Sequence, residues 1–234
     1  MQYNFNMEEF PPVVREFASY KTVIQGCSQK TSDEYLLDLR TFFRYLLAKD
    51  SHIDPESDEF CEIDISHIDL DYIKKITPER IYDFLLYTGN VRKNMWSAKA
   101  RKLSAIKGLF KFMTVKRGYL DENPAANIET PKRKKTLPKV LSLDEARLLL
   151  DTVRNDVKSK NRLRDLCIIT LFLNCGMRLG ELVGINLSDI EREFQHIRVV
   201  GKGSKERIIY LNDACKRVLC EYLQKVRLTQ KYEF

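Results

Sequence analysis

The chain has 234 residues, 44% of them hydrophobic and 31% charged, which is enough apolar material for two modest cores and too much for a small stapled domain. No apolar run can cross a bilayer, and the opening MQYNFNMEEFPP lacks the basic and apolar stretches of a secretion signal, so a cytoplasmic protein without a membrane partner is expected. The net charge of +7 is uneven: residues 1–91 carry −8, residues 92–139 carry +11 and residues 140–234 carry +4, so the middle block is either a polyanion-binding surface or a solvated linker.

Along the chain, Thr31-Ser-Asp-Glu34 has the form of a capping box, and Tyr35, Leu39, Phe42, Phe43 and Leu46 follow at helical spacing, predicting a helix over about Ser32 to Leu47. Arg40 and Arg44 lie on its other faces. The acidic stretch DSHIDPESDEFCEIDISHIDLD reads as an irregular connection facing away from any polyanion. Thr77-Pro78 starts another helix, with Gly89 placed to end it. From about Ser97 to Lys116, the residues Leu103, Ile106, Phe110 and Met113 form an inward stripe. Arg101, Ser104, Gly108 and Lys111 fall opposite, a small and basic face that suits a DNA groove or an ordinary surface.

After Asn123-Pro124 comes IETPKRKKTLPKVLS, whose prolines bracket Lys132, Arg133, Lys134 and Lys135. Prolines disfavour helix and like charges repel, so this is an extended linker able to track a phosphate backbone. Ser142-Leu-Asp-Glu145 then caps a new domain. The apolar helix Leu166 to Leu173 stops at Gly176, and a further helix starts near Arg178 with Leu179, Leu182 and Val183 facing inward. A guanidinium cannot be neutralised, so Arg178 needs an anion, either Glu181 three residues on or an external phosphate. HIRVVGKGSKERIIYL reads as two strands, His196 to Val200 and Glu206 to Leu211, joined by a Gly-rich turn with Lys202 at its tip. Such a turn serves either solubility or a cation projecting into a groove. An amphipathic helix follows over roughly Asp213 to Val226. The six cysteines (Cys27, Cys61, Cys167, Cys175, Cys215, Cys220) contain no C-x-x-C pair and read as reduced residues, not disulfides or zinc ligands.

In this order, LSAIKGLFKFM, NPA, the basic linker ending LPKVLS, GMRLGELVGINLSDI and VVGKGSKERIIYL, the chain resembles the tyrosine recombinases of the Xer and phage-integrase group over almost its whole length. The resemblance implies a mainly α fold with a small β-hairpin (α+β). Residues 1–128 would be a helical, SAM-like core-binding domain, 129–141 a basic linker and 142–234 the first part of a catalytic domain. It implies that Arg178 is the first catalytic arginine, Glu181 its support, and Lys202 the lysine that protonates the leaving 5′ oxygen. The candidate DNA contacts are Arg40, Arg44, Lys99, Arg101, Ser104, Lys107, Lys111, Lys132, Arg133, Lys134, Lys135, Lys205 and Arg207. Double-stranded DNA and other recombinase subunits would be the partners, with a C-shaped grip on the duplex. No cofactor is implied, because fixed cations replace magnesium around the phosphate and a tyrosine hydroxyl attacks to give a phosphotyrosyl link.

The sequence departs from the family's pattern after the hairpin. The only histidines are His52, His67 and His196, so the family's His-x-x-Arg box is not found, and neither Tyr222 nor Tyr232 is placed as a nucleophile. The chain is therefore expected to bind DNA without cleaving it alone. A truncated gene product, a fragment, and a short protein completed by a partner chain are all compatible with this. So is a second function, that of a non-catalytic DNA-binding regulator occupying recombination sites. The helices from Ser142 onward are expected to leave an apolar patch exposed.

Overall fold

The computed structural model describes residues 5–130, 137–201 and 203–227, and divides the chain into two units, Met1–Thr136 and Leu137–Phe234. It is mainly helical with one two-stranded antiparallel sheet, the class expected. Among the described residues no helix is long and apolar enough to cross a membrane.

The first unit contains α1 (Pro12–Ser19), α2 (Gln29–Asp50), α3 (Glu59–Glu62), α4 (Leu70–Lys74), α5 (Pro78–Asn90) and α6 (Trp96–Lys111). Helix α2 starts earlier than the sequence predicts. Ser28 is its cap, with Oγ accepting from the Thr31 backbone N–H at 3.3 Å, so Thr31 is already helical. Ser32 and Asp33, part of the expected capping box at the helix start, lie within the first turns of α2 and are buried. The acidic connection is not wholly irregular, since it folds α3 and begins α4, which is capped by Asp69, and it inserts Phe60, Ile65 and Ile68 into the core.

Aromatic side chains dominate that core. Phe42 of α2 meets Phe84 of α5 edge-on at 5.1 Å, and Tyr45 stacks on Tyr87 at 4.7 Å. The predicted stripe of α6 is fully buried at Leu103, Ile106, Phe110 and Met113, and α6 runs on into a wider turn, Phe112–Lys116. Each such side chain contributes on the order of 1.5–3 kcal/mol by leaving water. A buried ion pair crosses the same packing: Lys102 Nζ donates to Asp38 Oδ1 at 2.8 Å.

Gly108 differs from its expected place. A Cβ there would stand 3.1 Å from the Cζ of Phe17, so the glycine makes room for a core ring instead of a DNA backbone.

The second unit contains α7 (Leu143–Asn155), α8 (Arg162–Cys175), α9 (Leu179–Val183), strands β1 (His196–Val200) and β2 (Glu206–Tyr210), and α10 (Asp213–Tyr222). Ser142 and Glu145 form the predicted capping box on α7. Helix α8 packs against α10, and Cys167, Leu171, Met177, Ile197, Val199, Ile209, Leu211, Cys215 and Leu219 form the core. The cysteines are free thiols, with Cys175 Sγ 3.8 Å from Cys215 Sγ. Tyr222 packs partly buried against this core, while Tyr232 lies outside the described residues.

As expected, an apolar surface is left open. No residue of α7 is buried, with Leu143 and Leu148 exposed, and Leu173, Leu179 and Val183 are exposed as well.

Candidate nucleic-acid interface

Gly176 ends α8 in the left-handed region, at φ 57°, and turns the chain so that Met177 is buried and Arg178 caps α9 in an extended conformation. The inward residue of α9 is not the one the sequence predicts. Leu179 and Val183 face solvent, Leu182 is partly buried, and Glu181 is buried at 3% exposure. A five-residue helix has too little length to show an apolar face, so its hydrophobic pattern misleads.

Glu181 is buried because it is an assembly point. Its Oε2 accepts from the Arg178 backbone N–H at 2.9 Å, satisfying an open donor of the helix start. Its Oε1 accepts from Arg178 Nη1 at 2.9 Å, and its Oε2 also from Arg207 Nη2 at 2.9 Å. The backbone N–H of Arg178, then the Arg207 guanidinium, then that of Arg178 pull its carboxyl down to about 2, against burial, which acts upward. Two guanidiniums on one carboxylate leave net positive charge. That of Arg178 is displayed, its side chain 74% exposed.

The hairpin stands over this carboxylate. Val199 of β1 pairs with Arg207 of β2, and Ile197 with Ile209, so Arg207 lies on the same side of the hairpin as these buried residues, while its own side chain is 46% exposed. The turn is closed by Gly201 N–H donating to Lys205 O at 2.8 Å, and bent by Gly203 and Ser204 at φ 74° and 57°. Gly201 also passes close to Glu181: a Cβ there would lie 3.1 Å from Oε1. Lys202 falls outside the described residues, while Lys205 is exposed. A second ion pair, Arg198 Nη2 to Asp189 Oδ1 at 2.8 Å, ties β1 to the turn Leu187–Asp189.

In the first unit the candidate contacts are spread out and partly engaged. Arg40 pairs with Glu9 at 3.6 Å and lies over the Phe5 ring, and Arg44 Nε donates to the Ile63 carbonyl at 3.1 Å. Arg101 is held by Glu34 and by Asp38 at 3.3 Å. Ser104 Oγ returns to the Ala100 carbonyl at 2.9 Å, Lys107 approaches the Ala126 carbonyl at 3.5 Å, and Lys99 is half-buried near Gly89. Lys111 is exposed, and Lys132, Arg133, Lys134 and Lys135 lie outside the described residues. The reading from sequence missed Arg207 as the partner of Glu181. The alternation of Arg207, Ile209 and Leu211 places the arginine on the side of the strand that carries apolar residues, but no local pattern names Glu181 as its partner.

Comparison with known proteins agrees with this geometry. The phage integrase family profile matches residues 139–233. The tyrosine recombinase XerC of Caldanaerobacter subterraneus is 37% identical over 219 residues, covering 94% of this chain and 60% of the relative. XerD of Staphylococcus epidermidis is 31% identical, covering 92% and 65%. The chain thus spans under two thirds of the length of these relatives. Among solved structures, a lambda integrase dimer bound to a COC′ core site aligns with TM-score 0.63 at 18% identity, covering 92% of this chain and 69% of that one. XerH bound to a palindromic difH substrate aligns with TM-score 0.58 at 21% identity, covering 92% and 68%. At such identities the likeness shows the fold.

Proposed function

We propose that this chain, whose residues 139–233 match the phage integrase family profile and which is 37% identical to a tyrosine recombinase XerC, binds duplex DNA at a site of site-specific recombination and presents Arg178 and Lys202 to one backbone phosphate. The observation that carries this reading is the exposed Arg178 guanidinium fixed on buried Glu181 beside the hairpin. A guanidinium held in advance stabilises charge developing on non-bridging phosphate oxygens without the cost of reorganising at the moment of reaction. That is the task a metal ion performs in other phosphoryl transfers.

In this reading Lys202 gives a proton to the leaving 5′ oxygen, and a tyrosine hydroxyl forms the phosphotyrosyl link whose reversal rejoins the strand. No tyrosine of this sequence is assigned that role. The partners are duplex DNA and further recombinase subunits, as in the lambda integrase dimer on its core site.

The test is equilibrium binding of the chain to duplex DNA against salt concentration. Affinity should fall steeply with salt, and Arg178→Ala should reduce it and lower the slope by roughly 0.9, the loss of one phosphate contact. Binding indifferent to salt and to Arg178 would refute the assignment.

A further inference from the structure

Arg207 stands on β2 on the side of the hairpin that carries the buried Ile209 and the cross-strand Val199, and its own side chain is 46% exposed. The buried member of the pair is Glu181, whose side chain is 2% exposed: a carboxylate so placed is costly unless it is paired, and Arg207 Nη2 lies 2.9 Å from its Oε2. That same oxygen takes the backbone N–H of Arg178, and the carboxylate's other oxygen takes the Arg178 side chain. Gly201, at the first residue of the turn, leaves no room between the hairpin and Oε1. Three separate pieces of chain, the start of α9, strand β2 and the hairpin turn, therefore meet on one carboxylate.

We propose that Arg207 is a positioning residue: through Glu181 it locks the orientation of the Arg178 guanidinium to that of the hairpin turn, and it does not itself bind phosphate. The coupling stands on the geometry alone, while its consequence for a bound phosphate rests on the function proposed above. The competing role is the direct DNA contact that its charge predicts. The two differ in what removing Arg207 does to Arg178. A positioning residue acts only while Glu181 and Arg178 are present, whereas a phosphate contact acts independently of them.

The first measurement needs no DNA. In the 234-residue chain, nitrogen–proton spectra report the Arg178 guanidinium, and amide exchange reports Gly201, whose N–H closes the turn onto Lys205. Arg207→Ala and Glu181→Gln should each shift the Arg178 resonances and speed Gly201 exchange by about tenfold. In the Glu181→Gln background, Arg207→Ala should add less than about twofold. Arg207→Lys, which keeps a cation within reach of the carboxylate, should recover part of the loss, and Arg207→Gln gives the same readouts if the alanine variant does not fold. Unchanged Arg178 resonances, or effects that multiply in the double variant, overturn the proposal.

The second measurement is duplex binding. Arg207→Ala should weaken it in the parent and leave it unchanged in an Arg178→Ala background; an equal loss in both backgrounds, with the salt slope falling by about 0.9, makes Arg207 a phosphate contact and overturns the proposal. A parent chain that does not bind duplex, yet shows the coupling in the spectra, refutes the recombination reading and supports the role of Arg207.

Discussion

The Arg207 guanidinium lies 2.9 Å from Oε2 of Glu181, joining the second strand of the hairpin to a five-residue helix that could not hold its own position. So short a helix has little intrinsic stability. What fixes α9 is the left-handed turn at Gly176 before it, the Glu181 carboxylate closing its first turn, and the hairpin arginine on that carboxylate. The exposed Arg178 thus takes its orientation from groups that are themselves held by the second core.

The carboxyl of Glu181 sets an acid limit on this arrangement. Its folded value of about 2, caused first by the Arg178 backbone N–H and then by Arg207, lies below the roughly 4.3 of an unfolded glutamate. The stabilisation is therefore complete above about pH 4.3 and lost as pH falls through about 2. Melting temperature should decline across that window, and Glu181→Gln should flatten the decline without abolishing it. Asp189, Glu191 and Glu145 are also held low, by hydrogen bonds from the backbone, and titrate in the same direction. A Glu181→Gln profile parallel to the parent would show that the carboxylate contributes nothing to folding.

Gly176 is a purely conformational requirement. Its φ is 57°, and a Cβ there would meet nothing within 4 Å, so substitution costs backbone strain alone. Gly176→Ala should lower stability by about 1 kcal/mol, and Gly176→Asn by less, since asparagine tolerates the left-handed region. Urea midpoints decide this, and an alanine variant as stable as the parent would contradict it.

In the first unit, the Asp38 side chain is 1% exposed and pairs with Lys102, with Arg101 also near. Burial pushes the Asp38 carboxyl upward, and the hydrogen bond from Lys102 only partly opposes it. Removing one partner strands the other charge. Asp38→Leu should therefore cost about 3 kcal/mol, and Asp38→Leu with Lys102→Met should recover at least half of that. Chemical denaturation of the four members of the cycle measures it; a double variant no better than the single one would refute the pairing argument.

Legibility in the sequence followed the range of the interaction. The α6 stripe, the Ser142–Glu145 box and the two strands are set by spacing within a few residues, and they stand where the spacing puts them. The start of α2 was displaced because Ser28 and Thr31 both have capping side chains, and local pattern does not choose between them. In the acidic connection the density of carboxylates masks the isoleucines, Ile65 and Ile68, that anchor it. At the candidate site, Arg178 and Glu181 were legible as neighbours three apart. The bond from Arg207 was not, because it depends on how the hairpin packs over α9, a long-range fact that no motif encodes.

Gly108 tests that distinction directly. In a helix interior, Gly to Ala normally stabilises by roughly 1 kcal/mol. Here the added methyl would come 3.1 Å from Phe17 Cζ, and that ring is held between Tyr35, stacked at 6.4 Å, and Phe112 at 5.7 Å. The clash should cancel the gain or exceed it, since a close-packed core absorbs an extra methyl poorly. Shortening the opposing side chain should release it: Gly108→Ala with Phe17→Leu should be more stable than the sum of the single changes by about 1 kcal/mol. Duplex affinity should be unaffected by Gly108→Ala, because the methyl points into the core. A loss of DNA binding at unchanged stability would instead return Gly108 to the groove-facing surface that the basic pattern of α6 suggests.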